Sequence, residues 1–210
     1  MSIESSIVVL IGAGGHARVV YDALRTINGA LTIDVRDDDP VLSGRRFFES
    51  CISVPAFAGS MISVPVHIAI GDNAARKRVA DQFTGRGCRL MAVIHSTSCV
   101  SRYAQISDGA FIAANAVVGP GAVVGRGAIV NHGAVIDHDC AVAPWAHVAP
   151  NATLGGEVKV GEGALVGAGA VVLPGLEVEE WATVGAGAVV TRKVGANTVV
   201  VGVPAKGRSL

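Results

Sequence analysis

A repeat of six residues runs through the second half of the chain and limits what this region can fold into. Every sixth position from 100 to 190 is aliphatic, without an insertion or a slip. A period of six fits neither a single helix nor an ordinary strand, and it is typical of a hexapeptide β-helix. The sixteen positions are Val100, Ile106, Ile112, Val118, Val124, Val130, Ile136, Val142, Val148, Leu154, Val160, Val166, Val172, Val178, Val184 and Val190.

Each hexad is expected to supply one short strand and one turn, with its aliphatic side chain pointing into the coil. A small residue usually stands two positions earlier, as at Ala110, Ala128 and Ala146, and lets the chain bend past its neighbour. Three hexads make a triangular coil of about 18 residues, so the repeat predicts roughly five coils. One coil cannot bury its own apolar face, so stacking must supply the core. The unbroken register argues against a low-complexity segment.

The chain before the hexads begins like a nucleotide-binding βα unit. Residues 6–11 are mostly β-branched and aliphatic, which favours a buried parallel strand. Residues 17–24 place their apolar side chains at helical spacing, and a glycine-rich turn separates the two segments. Strand, glycine turn and helix in this order are typical of Rossmann-like domains. A second strand is expected over residues 31–35, ahead of an acidic turn where a ribose-binding carboxylate is expected.

The glycine turn reads Gly12-Ala13-Gly14-Gly15-His16 and lacks the third glycine of the dinucleotide motif, because position 17 is Ala. Only about three or four strands fit before the repeat, too few for a complete dinucleotide fold. Backbone N–H groups at the start of the first helix can still hold a phosphate. Tight packing could also explain the glycines, and Asp37 to Asp39 could be a solvated acidic turn.

The rest of the N-terminal region is less regular. Residues 45–64 show little periodicity and predict only a short strand or turn. A strand is expected over residues 67–70, followed by a helix from 74 to about 83 with Asn73 as its N-cap. Residues 90–94 predict a last short strand. We therefore expect a Rossmann-like α/β domain over residues 1–95 and a β-helix domain with a C-terminal tail over residues 96–210.

Charge and cysteine content narrow the function classes. Lys plus Arg and Asp plus Glu each number 17, which argues against a general nucleic-acid or membrane-surface binder. The four cysteines are scattered without a Cys-x-x-Cys pair, so we expect a reducing compartment and no metal site. The apolar run near the N-terminus is too short for a signal sequence, and no run reaches transmembrane length. These features predict a cytoplasmic protein.

Three motifs make a family resemblance specific. After the glycine turn come Ile70-Gly71-Asp72-Asn73 with Arg76, and the coils carry Asn131 followed by Val135-Ile136-Asp137-His138-Asp139-Cys140. The tail Gly202-Val203-Pro204-Ala205-Lys206 matches a common ending of hexapeptide acyltransferases. The chain resembles hexapeptide-repeat acetyltransferases of the sialic-acid O-acetyltransferase-like group, especially bacterial enzymes that N-acetylate nucleotide-linked 4-amino-4,6-dideoxy sugars. The resemblance implies a left-handed β-helix, a homotrimer and acetyl-CoA bound between neighbouring prisms.

The resemblance also implies roles for individual residues. It makes His138 the general base and Asp139 its orienting partner. Neighbouring side chains on a strand alternate in direction, so contact between these two would depend on the turn. The implied acetyl-CoA contacts, largely main-chain, are His147, Gly156, Ala168 and Ala186. The implied nucleotide-sugar contacts are Gly14, Gly15 and His16, with Asp37, Asp38 and Gly71 on the base and ribose side.

The chemistry agrees with a histidine base, since an amine that attacks a thioester must lose a proton and a neutral imidazole can accept it. A sialic-acid-type O-acetyltransferase would use the same histidine and stays an alternative. A non-enzymatic or zinc-binding prism is a third reading, but His132, His138 and His147 do not fall on one column of about 18 residues. Which nucleotide and which sugar are bound stays open. The expected pathway is synthesis of bacterial surface-glycan or glycoprotein sugars.

Overall fold

The computed structural model describes residues 6–208, without the side chains of residues 59 and 60. These residues form two compact units, one ending at Ser96 and the other beginning at Thr97. The boundary predicted from the sequence lies one residue earlier, and the assignment of domains stays a prediction.

The first unit contains a five-stranded sheet and two 13-residue α-helices. The sheet order is β3-β4-β2-β1-β5, and only the β3–β4 pair is antiparallel. The strands of this sheet are β1 (Ile7–Ile11), β2 (Thr32–Arg36), β3 (Arg46–Phe47), β4 (Ser50–Ser53) and β5 (Val66–Ile68). A further short strand, β6 (Val93–Ile94), is not part of it. The helices are α1 (Gly15–Ile27) and α2 (Asn73–Gly85), with single 3₁₀ turns at Pro40–Leu42 and Gly59–Ser63.

The central position of β1 follows from its composition. Val8 and Leu10 are fully buried, and Val9 and Ile11 nearly so. A strand that is buried on both faces needs a continuous apolar run. Helix α1 buries one stripe of side chains, which agrees with the helical spacing seen in the sequence. The glycine turn therefore lies at the carboxyl end of a buried strand, where α/β sheets usually bind ligands.

Two local predictions were wrong. The N-cap of α2 is Asp72 rather than Asn73, because the Asp72 Oδ1 atom accepts the Ala75 N–H at 2.7 Å and Asn73 is already helical. Residues 45–64 contain two strands, β3 and β4, so six strands of the described chain precede the repeat instead of three or four, and five of them form one sheet. Strands of two and four residues are too short to produce a periodic pattern.

The second unit is a parallel β-helix with three faces. Val118 pairs with Ile136 and Ile136 with Leu154, so each coil advances 18 residues. The first face contains Cys99–Val100, Val117–Val118, Val135–Ile136, Thr153–Leu154, Val171–Val172 and Val189–Val190; the second contains Gln105–Ile106, Val123–Val124, Ala141–Val142, Lys159–Val160 and Glu177–Val178; the third contains Phe111–Ile112, Ile129–Val130, His147–Val148, Leu165–Val166, Thr183–Val184, Val199–Val201 and the antiparallel Lys206–Gly207.

The aliphatic column forms the core of this unit. Fourteen of its sixteen residues are buried, and only Val100 and Ile106, both in the first coil, are half-buried. Burial of one such side chain contributes about 1.5–3 kcal/mol. Four-residue turns join the faces and project outward, so the stacked turns form three corners. Functional side chains of this unit are therefore found on corners and on outward strand positions.

Candidate active site

The turn 137–140 connects the first face to the second and carries the predicted base. Ile136 before it and Cys140 at its end are buried, whereas Asp137, His138 and Asp139 are exposed. The buried ends anchor the turn to the core. The three polar side chains therefore point outward from a rigid corner.

His138 and Asp139 form a hydrogen-bonded pair. The His138 Nδ1 atom lies 2.9 Å from the Asp139 Oδ2 atom. Asp139 has a φ of 58°, a left-handed backbone conformation that breaks the alternation of a strand. A carboxylate only accepts hydrogen bonds, so Nδ1 donates and the neutral imidazole keeps its lone pair on Nε2. The geometry thus presents Nε2 as a proton acceptor.

Negative charge around the imidazole raises the pKa of His138 above its ordinary value. The main cause is the hydrogen bond that Nδ1 donates to the Asp139 carboxylate, and the negative charges of Asp137 and Glu157 add to it. A higher pKa makes the imidazole a stronger base, but it also means that the neutral form becomes available only at a higher pH.

Neighbouring coils hold this turn in place. The Asp139 N–H donates to the Pro120 carbonyl at 3.0 Å, and the Glu157 N–H donates to the His138 carbonyl at 2.9 Å. The Cys140 thiol donates to the Gly155 carbonyl at 3.1 Å. Burial raises the pKa of the Cys140 thiol, so this group stays protonated and has a structural role.

Gly156, one coil after His138, lies directly against the imidazole. A Cβ atom at Gly156 would overlap the His138 Nε2 and would lie 2.6 Å from Cε1. Within residues 6–208, the Gly156 N–H donates to no acceptor of this chain. The structure therefore brings together His138, Asp139 and the backbone of Gly156.

The other predicted acetyl-CoA residues lie elsewhere on the prism. His147 belongs to a strand of the third face, and Ala168 and Ala186 are exposed in turns between the third face and the first. In a triangular coil the third face lies opposite the corner that carries His138. One chain therefore does not place His138 and His147 in the same site.

Asn131 fixes the orientation of His147, a contact that the sequence analysis missed. The Asn131 Oδ1 accepts the His132 N–H at 2.8 Å, so its Nδ2 faces the His147 Nε2 at 3.0 Å. His147 Nε2 is then the acceptor, and the proton of the neutral ring is on Nδ1. The contact could have been predicted from the 18-residue period of the coil. That period pairs Ile129 with His147 in adjacent strands, and Asn131 is only two residues beyond Ile129.

In the first unit, the predicted nucleotide-sugar residues meet at the carboxyl ends of the strands. A Cβ at Gly14 or Gly15 would have nothing within 4 Å, so tight packing does not explain these two glycines. A Cβ at Gly71 would lie 3.6 Å from the Cβ of His16. Gly71 and the start of α1 are therefore neighbours at the edge where a ligand is expected.

The acidic residues after β2 support the loops of this edge. The Asp37 Oδ2 accepts the Ala13 N–H at 2.8 Å and ties the glycine turn to the end of β2. The Asp38 Oδ1 accepts the Ala56 N–H at 2.9 Å, and the Asp39 Oδ1 accepts the Val41 N–H at 2.9 Å. These residues are therefore more than a solvated acidic turn.

Arg76 is a further residue to which sequence reasoning gave no role. Its side chain is buried, and Nη1 donates to the carbonyls of Ile70 and Gly71 at 3.0 Å each. Burial lowers the pKa of Arg76 to about 10, so the guanidinium remains charged at neutral pH. A buried charge of this kind fixes the path of the loop that carries Gly71.

Among residues 6–208, no group of three or more His, Cys, Asp or Glu side chains is arranged to hold a metal ion. In the same part of the chain, neither α-helix has the length and apolar character needed to cross a bilayer.

Each of the two units matches a family model of known proteins. The family model of the PglD N-terminal domain matches residues 7–83, and that of the bacterial transferase hexapeptide matches residues 103–138 and 157–192. No curated protein matches the chain.

Several solved structures match almost the whole chain. A mutant of perosamine N-acetyltransferase from Caulobacter crescentus, in complex with CoA and GDP-perosamine, is 34% identical over 96% of both chains, with a TM-score of 0.90. The acetyltransferase domain of PglB from Neisseria gonorrhoeae, in complex with acetyl coenzyme A, is 29% identical over 97% of this chain and 100% of that one, with a TM-score of 0.87. WeeI from Acinetobacter baumannii is 25% identical over 96% and 99%, with a TM-score of 0.87.

These matches confirm the expected fold class, a Rossmann-like α/β unit followed by a left-handed β-helix of hexapeptide repeats. They also confirm the expected acyltransferase class, and the matched structures hold CoA or acetyl coenzyme A. The chain belongs to the hexapeptide-repeat N-acetyltransferases of nucleotide-linked amino sugars.

Proposed function

We propose that this enzyme transfers the acetyl group of acetyl-CoA to the 4-amino group of a nucleotide-linked 4-amino-4,6-dideoxy sugar, with His138 as general base. The proposal rests on the hydrogen bond between His138 and Asp139 at an exposed corner of the β-helix. It leaves the His138 Nε2 atom as the proton acceptor, next to the Gly156 backbone. GDP-perosamine, bound in the Caulobacter enzyme, supports the choice of acceptor. The product would enter bacterial surface-glycan or glycoprotein synthesis in the cytoplasm.

The proposed reaction needs one proton acceptor and one oxyanion donor. The sugar amine attacks the thioester carbonyl carbon, and the Nε2 of His138 takes a proton from the amine. Asp139 holds the Nδ1 proton and stabilises the imidazolium. The Gly156 N–H, which has no acceptor in the described chain, can donate to the negatively charged carbonyl oxygen. Collapse of the intermediate breaks the carbon–sulfur bond, and His138 returns its proton to the CoA sulfur.

A complete site would require two copies of the chain. His138 and Gly156 lie at one corner, whereas His147 lies on the face opposite that corner. If all of them contact one acetyl-CoA, the cofactor must bind between His138 of one subunit and His147 of the next. A closed ring of three prisms makes three equivalent sites of this kind. The separation of these residues within one chain supports a homotrimer, with Ala168 and Ala186 contributing backbone contacts.

The first unit would bind the nucleotide. Gly14 and Gly15 begin α1 with open space around them, so the backbone N–H groups there are accessible to a phosphate. We assign His16 to the same part of the ligand. Asp37, Asp38 and Gly71 would contact the base and ribose side, since they follow β2 and β5 at the same edge of the sheet.

Incubation with acetyl-CoA and a panel of UDP-, GDP- and dTDP-linked 4-amino sugars tests the reaction. Release of the CoA thiol, together with gain of one acetyl group on the sugar, is expected with one nucleotide. Matched sugars with a 4-hydroxyl group should give no product. Acetylation of the hydroxyl sugars in preference to the amines would contradict the proposal and favour O-acetylation.

A further inference from the structure

Gly121 occupies the turn position one coil before Asp139. The φ angles are 73° at Gly121 and 58° at Asp139, so the two residues have the same left-handed conformation. A Cβ atom at Gly121 would overlap the Asp139 Oδ1 and would lie 3.2 Å from its Cγ. The carboxylate that contacts His138 therefore occupies the space where a side chain of residue 121 would stand.

Backbone conformation alone does not explain this glycine. Glu157, at the equivalent position one coil after Asp139, also has a left-handed φ of 63°. Asp139 and Glu157 show that the turn accepts a side chain at this position. Gly175, another member of the same column, has a φ of 70° but nothing within 4 Å of an added Cβ. What distinguishes Gly121 from Gly175 is the carboxylate packed against it.

The position of that carboxylate decides how His138 is held. Asp139 uses Oδ2 to accept from the His138 Nδ1 at 2.9 Å, while Oδ1 lies over Gly121. A methyl group on residue 121 would force Oδ1 to move by on the order of 1 Å to reach normal van der Waals separation. The two oxygens belong to one rigid group, so Oδ2 would move with Oδ1 and lose its hydrogen-bond geometry.

We propose that Gly121 is a positioning residue for His138: it leaves the space in which the Asp139 carboxylate reaches the imidazole Nδ1. The effect on catalysis rests on the proposed role of His138 as general base. The effect on the imidazole itself does not, so the two can be measured separately.

The charges that face His138 give the sign of the effect. Asp137 and Asp139 belong to its own turn, and Glu157 belongs to the turn of the next coil. The preceding turn, 119–122, contains Gly, Pro, Gly and Ala and has no titratable side chain. Loss of the Asp139 contact leaves Asp137 and Glu157 in place. The pKa of His138 should therefore fall without losing all of its increase.

The test compares Gly121→Ala with Gly175→Ala in the intact enzyme. Both variants put alanine at a left-handed turn position, but only the first introduces a clash. NMR titration of the His138 ring, assigned with a His138→Gln variant, should show a lower pKa in Gly121→Ala and in Asp139→Asn. The Gly175→Ala value should equal that of the parent. Turnover at neutral pH should fall on the order of tenfold in Gly121→Ala but not in Gly175→Ala, and the acid limb of the kcat/KM profile of Gly121→Ala should move to lower pH.

An unchanged His138 titration in Gly121→Ala would overturn the proposal, and so would an equal shift in Gly175→Ala. A shifted titration with parental turnover would support the positioning role and contradict the proposed base. If Gly121→Ala does not fold while Gly175→Ala does, Asp139→Gly should restore folding, because it removes the group that clashes. Failure of that double variant to fold would contradict the proposal.

Discussion

Gly156→Ala should damage catalysis while leaving the fold intact. The added methyl would overlap the His138 Nε2, and the ring atoms Cε1 and Cδ2 would lie 2.6 and 3.1 Å away. Carbon atoms in contact are normally about 3.5–4.0 Å apart, so the imidazole must move by on the order of 1 Å. A displacement of this size at a reacting atom can lower the rate by about 10²-fold.

The stability of Gly156→Ala should change little. The His138 side chain is 51% exposed and can rotate away from the new methyl group. Gly156 does not have a positive φ, so alanine meets no backbone strain there. The melting temperature and the mass of the protein in solution should therefore equal those of the parent, while kcat falls.

The matched control is Gly195→Ala, in which the nearest atoms to an added Cβ are 3.8 and 3.9 Å away. That variant should keep parental activity. Steady-state measurements with acetyl-CoA and the nucleotide sugar, at saturating concentrations of both, give the comparison. A Gly156→Ala enzyme with parental kcat would refute the argument that His138 acts from the position it has in the structure.

Two further predictions concern the core and the first unit. Leu154→Ala removes a fully buried member of the aliphatic column and should lower the free energy of unfolding by about 2–5 kcal/mol, measured by chemical denaturation; a loss below about 1 kcal/mol would contradict the stacked core. Arg76→Met removes the donor to the Ile70 and Gly71 carbonyls and should raise the KM for the nucleotide sugar with little change for acetyl-CoA; equal changes in both KM values would contradict its local role.

The β-helix could be predicted from sequence because every hexad reports on the same inward position. The insertion or deletion of a single residue would have shifted the later aliphatic positions out of register, and none occurs between residues 100 and 190. The half-buried state of Val100 and Ile106 was not predictable from the repeat, since it follows from being in the first coil. In the first unit, β1 and β2 begin within one residue of their expected starts. The choice of Asp72 over Asn73 as N-cap was not decidable from sequence, because both side chains cap helices well.

The site was only partly readable from the sequence. The motif around His138 pointed to the base, but strand alternation could not predict its contact with Asp139, which depends on a left-handed φ of 58°. Gly121 lies 18 residues before Asp139, and Gly156 lies 18 residues after His138. The 18-residue period of the coil therefore predicts that each glycine stacks against one residue of the His138–Asp139 pair. Their significance became visible only when the side chains of His138 and Asp139 were placed.

The opposite locations of His138 and His147 could also have been inferred from the register. His147 lies in a strand of the third face, and His138 lies in a turn between the other two. A homotrimer of this 21.2 kDa chain remains a prediction that follows from this separation. Light scattering that gave a stable and active monomer would contradict it.

The proposed mechanism depends most directly on His138 as the proton acceptor. The decisive measurement is turnover of His138→Ala, compared with His132→Ala, across a range of pH. His132 is also exposed in a turn and serves as the control. His138→Ala should stay folded and lose about 10²–10⁴-fold in kcat, with a deficit that shrinks as pH rises because more sugar amine is already deprotonated, whereas His132→Ala should match the parent. A folded His138→Ala enzyme with nearly full activity would contradict the mechanism.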